Sequence, residues 1–404
     1  MKKLFAITLL VISALCGVYA AIPKSAKQAE KLIGNFSQTE KARNLISEAL
    51  NDTTYTPEVQ TYFIAGRIER ETYKHFYKLL SINQKDPSVD HVAMADALMG
   101  AYKYFTKCLS LDSTYDKKGR LKVKYSPDIT QWISTSAPAI YNAGIAYMNK
   151  KLYYPKAHDA FITYANLPQL SYFSPETSIT DSLRANAYFY GGVMAYNAKE
   201  FEAAIEAFVN ARKYGYTKKE VFLNEISALT HLAKADTTKL KNLSKRITDV
   251  AGEGLTHHGV EKTPVFIQKY VAGKLMEGKP EFAMAAIDTS LIKHKEMVML
   301  HTMKAGVYAV MGNNEAAVAE YKVAAENEKA DAETLKSASK FIAQYGIDRL
   351  DEIKGRSREA RAKINDIRNE YLKPALAYAQ RAAALIPDDP EISNTIETVN
   401  YRLH

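Results

Sequence analysis

The chain has 404 residues, 47% of them apolar and 25% charged, with a formal net charge of +9. That apolar content excludes a globally disordered chain. The length admits two or three ordinary domains or one long stack of repeats without a central core. Residues 1–20 read as a secretory signal peptide: Lys2 and Lys3, an apolar run from Leu4 to Leu15, then the small-residue pair Val18 and Ala20. The run is short for a bilayer span, so a retained anchor is the weaker reading. Cys16 raises a lipoprotein alternative, against which Leu15 stands where a small residue is wanted. Cleavage leaves 52 basic and 45 acidic residues, a balance of +7, and Cys108 as the one cysteine, so no intramolecular disulfide is expected. Its place in an Ala101, Phe105, Cys108 spacing marks Cys108 as a small packing residue.

Downstream the predicted elements are all helical. Lys24–Asn51 ends in a helix carrying Ala42, Ile46 and Ala49, closed by Thr56-Pro57. Val59–Arg70 starts a helical pair through Gly66, and its partner comes only at about Ala93–Leu111. Extra helical material, Glu71–Leu80, and a polar stretch, Asn83–Asp90, lie between them. A basic link, Asp112–Pro127, leads to Ala139–Tyr164 with Gly144, Tyr147, Ala157, Phe161 and Tyr164. After a loop at Leu167–Thr180, Ala185–Tyr214 shows the pattern best: Tyr188, Gly191, Gly192 and Tyr196, then Phe201, Ala204, Phe208 and Ala211. Val221–Ala251 is a weaker copy. Gly252–Thr263, with Gly252, Gly254, His257, His258 and Gly259, reads as a loop or bend. Val265–Ile292 resumes through Gly273, Phe282 and Ala285, and Met299–Ala325 through Gly306, Tyr308, Ala317, Tyr321 and Ala324. A long, charged helical stretch follows to about Leu372. Ala375, Ala379 and Ala382 form a last alanine-rich helix, and Ile392, Ile396, Val399 and Leu403 stripe one face of a capping helix.

Small residues where two helices must touch, with aromatics filling the gaps between, resemble the tetratricopeptide repeat. The resemblance implies an all-α solenoid of helical hairpins with insertions and a C-terminal capping helix. Its expected layout is repeats over 21–251, a bend at 252–263, and repeats with the cap over 264–404. It further implies that the first helix of each pair lines a concave groove. The expected binding residues are then Phe63, Arg67, Tyr141, Asn186, Phe189, Tyr196, Tyr270 and Lys274. On that placement Tyr141→Ala and Phe189→Ala weaken binding more than folding. Chaperone-binding members of the family hold a terminal carboxylate with lysine, asparagine and arginine side chains. Of the matching positions only Arg67 fits, beside Phe63, Tyr141, Phe189, Ile145 and Val193.

Chemistry is sparse. His257-His258 is the nearest approach to a metal site, but adjacent side chains rarely converge on one ion without further ligands, so no metal is expected. His294–His301 contains Glu296 without the His-Glu-x-x-His order, and no Gly-x-Ser-x-Gly elbow or phosphate loop is present. No catalytic residue and no cofactor is assigned. The basic clusters Lys117–Lys124, Lys239–Arg246 and Lys354–Lys363 read as solvated faces, with an anionic partner second and no nucleic acid, since the leader implies export. The leading expectation is an exported, non-enzymatic scaffold that binds another bacterial envelope protein or a peptide segment. The periplasm is the expected location, with the cell envelope or the exterior as alternatives. The competing expectations are a glycan- or lipid-binding module using a tyrosine-lined groove, and an enzyme using the insertion at about Glu71–Asp90.

Overall fold

The computed structural model describes residues 22–54, 57–115, 121–174, 178–355 and 357–404. The signal peptide, Thr56 and most of the first basic cluster therefore lie outside the described residues. The chain divides into two compact units that part between Thr217 and Lys218. Both are all-α repeat stacks, apart from a two-residue antiparallel ladder pairing Thr114 with Lys122 and Tyr115 with Leu121.

The first unit begins with helices Lys24–Glu30 and Thr39–Asn51, whose alanines pack with Ile46 on Ile64, Ala65 and Ile68. Three antiparallel hairpins follow: Val59–Ile82 with His91–Leu111, Ser126–Met148 with Tyr154–Asn166, and Asp181–Asn197 with Phe201–Lys213. One device recurs in all three. A Cβ at Gly66 would overlap the Phe105 ring, one at Gly144 would stand 2.8 Å from Phe161, and one at Gly192 would stand 2.6 Å from Phe208. All three rings are fully buried. The first helix thus gives up a side chain so that the second can insert a ring against its backbone. Gly191 does the same towards the preceding hairpin, where Ile162 would be 2.9 Å away. The glycine pair therefore serves one contact within its hairpin and one between hairpins.

Helix ends follow local chemistry. Asp90 caps His91–Leu111 by accepting from Val92 N–H at 2.9 Å and Ala93 N–H at 3.1 Å. Gly215, Gly278 and Gly312 adopt positive φ just past a helix. Each is followed by an N–H that reaches back across the last turn: Tyr216 to Ala211, Lys279 to Lys274 and Asn313 to Tyr308, all at 2.9 Å.

The second unit holds helices Lys219–Ala235, Leu240–His258, Pro264–Met276, Pro280–Lys293, Val298–Val310, Asn314–Glu326 and Ala332–Asp351. Arg358–Ile367 then runs through one wide turn, Arg368–Leu372, into Lys373–Leu385, and Pro390–Leu403 closes the stack with Ile392 and Val399 buried. Here the sequence expectation needs correction. The bend at 252–263 is helical as far as His258, because Gly252 and Gly254 are contact glycines: added Cβ atoms would meet Tyr270 at 2.9 Å and Phe266 at 2.8 Å. Only the turn from Gly259, at φ +69°, to Thr263 departs from helix, and the division into units falls earlier, after Thr217. Gly273 faces Thr248 of that preceding helix rather than Phe282, which is 53% exposed. Gly306 faces open space.

Candidate functional site

The residues expected to line a groove are mostly engaged with their neighbours. In the first unit the half-buried Phe63 lies 4.2 Å from Tyr125, ring centre to ring centre, and 6.0 Å from Phe105. Arg67 reaches Glu30 at 3.5 Å and sits 5.9 Å over the Phe63 ring. Asn186 donates to the Ser182 carbonyl of its own helix at 2.9 Å. Tyr196 meets Phe201 edge to face. Tyr141 and Phe189 belong to one run of rings: Tyr164, Tyr141, Phe161, Tyr190, Phe189 and Tyr216, each touching the next. Burial, with Tyr190 and Tyr164 close by, holds the Tyr141 hydroxyl above the usual phenol range. Phe189 is only 9% exposed and stacks on Tyr216 at 4.3 Å, so truncating it empties core volume. That burial means that Phe189→Ala costs folding stability, whatever it does to binding. Tyr190, at 37%, is the exposed member of the run. In the second unit Tyr270 covers Gly252, and Lys274 lies 5.3 Å over its ring while pairing with Glu277 at 3.2 Å.

The opening that the first unit does present lies at the insertion. Val59–Ile82 continues for three turns beyond Arg70, and its partner His91–Leu111 has 21 residues against 13 in the second helix of each following hairpin. Its extension and the middle of Ser126–Met148 form two walls of a cleft of about 830 Å³, with the start of His91–Leu111 as its floor. Tyr73, Tyr77, Leu80 and Gln84 face it from one wall, His91, Met94 and Leu98 from the floor, and Trp132, Thr135, Ala139 and Asn142 from the other wall. Tyr77 is 59% exposed, and Trp132 backs onto Phe105 at 5.2 Å. Burial, with Tyr77 beside it, raises the Tyr73 hydroxyl above its ordinary value. The extension is held from behind: Phe36 stacks on His75 at 3.7 Å and meets Phe76 edge to face, and Arg70 bonds Asp128 at 2.8 Å. The insertion is visible in the sequence, but nothing in the spacing joins its tyrosines to Trp132. The signal was the Tyr73/Tyr77 pair, one turn apart on helical material that the repeat does not need.

The remaining candidates for chemistry are structural in their surroundings. Among the described residues no three His, Cys, Asp or Glu side chains gather as a metal site. His257 and His258 occupy the last turn of their helix against Phe222, and with His294 they border a cleft of about 980 Å³ in the second unit. Burial first, and Asp112 second, push the Cys108 thiol up to about 12. Among the described residues no helix is long and apolar enough to cross a membrane.

No protein-family model and no curated protein sequence matches this chain. Solved structures similar to it include YrrB, described as a TPR protein with an unusual peptide-binding site, at 12% identity over 53% of this chain and 92% of that one, TM-score 0.34. A TPR repeats protein from Bacteroides fragilis is 16% identical over 66% and 98% of the two chains, TM-score 0.34. The human IFIT1 dimer with PPP-AAAA is 13% identical over 95% and 96%, TM-score 0.35. At these scores the likenesses carry no argument about a ligand, and the repeat architecture rests on the chain's own hairpins.

Proposed function

We propose that the protein is an exported repeat scaffold that holds a peptide segment of an envelope partner in the first unit's cleft. One observation carries the reading. The turns added beyond the repeat build the cleft wall, and they place the exposed Tyr77 opposite Trp132 across about 830 Å³. That volume lies in the range of small-ligand sites, lined by apolar rings with a few polar groups that fix orientation. Aromatic anchors of this kind carry a large share of binding energy at interfaces. The lining supports binding: apart from the tyrosines, its titratable groups are Lys74, which pairs with Glu71 at 2.9 Å, and His91.

Because Tyr77 is exposed, Tyr77→Ala leaves the fold intact, and Ala139→Trp fills the cleft from the opposite wall. In affinity capture from cross-linked cells, both variants lose the same protein that the parent chain retains. Recovery unchanged by either substitution refutes the cleft as the binding site. A second reading, a glycan ligand, is favoured by the Gln84 and Asn142 amides beside the two rings, since sugars stack on rings and hydrogen-bond at their edges. Oligosaccharides that shift the emission of Trp132, the single tryptophan, select this reading. Export rests on the leader, and amino-terminal sequencing of the mature protein tests it by showing a start at Ala21 or an intact Met1.

A further inference from the structure

In the second unit an arginine with one sealed, unmatched N–H borders a cleft. The helix that starts at Arg358 widens into one π turn at Arg368–Leu372. The cause is Pro374, which has no N–H to return to the Glu370 carbonyl, so the backbone takes a wider turn ahead of the proline. Arg368, the first residue of that turn, borders a cleft of about 640 Å³ shared with Leu350, Ile364, Tyr401 and Arg402. Its Nε is sealed from solvent and has no acceptor among the described residues. Asp351, the acid bordering the same cleft, is already bonded to Arg402. With its Nε–H sealed and unmatched, the part-exposed Arg368 side chain still borders the cleft with its guanidinium charge, which favours an incoming oxyanion, and a planar donor set matches a carboxylate. Beside it, Leu350 and Ile364 offer apolar surface, and Tyr401 is 80% exposed.

We propose that this cleft binds a carboxylate carried next to an apolar side chain, as in an acidic peptide, with Arg368 as its counter-charge. The proposal does not depend on the first unit's cleft. The test uses the full-length chain, following the Arg368 Nε–H resonance, which is assigned by its loss in Arg368→Lys. N-acetylphenylalanine is titrated in, with N-acetylphenylalaninamide and inorganic phosphate as the other arms. The acid shifts the resonance saturably, the amide does not, and phosphate binds at least roughly tenfold more weakly. Arg368→Gln keeps the melting temperature and weakens binding of the acid by roughly tenfold or more. Equal shifts with the amide would mean apolar contact without charge recognition. Phosphate binding as well as the acid would mean a bare anion site. No saturable shift with any of the three would mean no site. Each of those results overturns the proposal.

Discussion

A methyl group at Gly192 would have to share space with the Phe208 ring, whose nearest carbon lies 2.6 Å from where it would sit. Gly306 holds the same place in its repeat by sequence, yet a Cβ there meets nothing within 4 Å. The two glycines therefore respond to substitution with opposite signs. Gly192→Leu overpacks the hairpin and costs about 1–3 kcal/mol or more. Gly306→Ala, in the interior of Val298–Val310, removes backbone freedom from the unfolded chain and gains about 0.5–1 kcal/mol. Thermal melts of both variants check the pair, and an unchanged melting temperature for Gly192→Leu would undermine the register. Asp112 makes a second prediction at this scale. Burial pushes its carboxyl up, but hydrogen bonds from Lys124 N–H, the Ser126 hydroxyl and the Tyr125 and Ser126 N–H groups outweigh it and leave the group below its ordinary value. A lowered folded value means that the contribution is full above the ordinary carboxylate range and is lost as pH falls through the folded one. The stability advantage of the parent over Asp112→Asn should therefore shrink steadily in melts taken from about pH 6 down to about pH 2.

At the scale of elements, the turn after Asp181–Asn197 breaks a local rule. Lys199 has φ +66°, and Glu200 N–H returns to the Ala195 carbonyl at 2.9 Å, the bond that glycine supports after Ala211, Lys274 and Tyr308. A side chain in the left-handed region costs about 1 kcal/mol, so Lys199→Gly should raise the melting temperature without moving any hairpin. Calorimetry of that variant decides it. The hairpins themselves were legible because their signal is local. Gly144 and Phe161, or Gly192 and Phe208, sit at nearly constant separation across one turn, and Gly66 kept Phe105 as its partner across the insertion. The leading edge of the cleft was not legible. Tyr73 and Trp132 belong to helices separated by a third, and no spacing along the chain brings them to facing walls. Gly252 and Gly254 misled for a related reason. A glycine-rich run with two histidines has the composition of a loop, and only the Tyr270 and Phe266 rings against it show that helix is required.

At the scale of the whole molecule, the chain divides into two compact units, and hydrophobic clusters within each define what should melt together. In the first, Ala42, Ile46, Ile64 and Ile68 share one cluster. In the second, Ile267, Ile287, Leu300 and Val307 form one and Leu335, Ile342, Leu372 and Val399 another. Stacked repeats hold one another mainly through neighbours, so a defect weakens the hairpins around it before it reaches remote ones. Ile342 is fully buried, and Ile342→Ala removes enough volume to cost about 2–5 kcal/mol. Amide hydrogen exchange on that variant should lose protection across Ala332–Asp351 and Lys373–Leu385 while Asp181–Asn197 and Phe201–Lys213 keep theirs. Gly192→Leu should reverse the pattern. A uniform loss in both variants would instead mean that the chain unfolds as one cooperative body, and the division after Thr217 would then have no energetic counterpart.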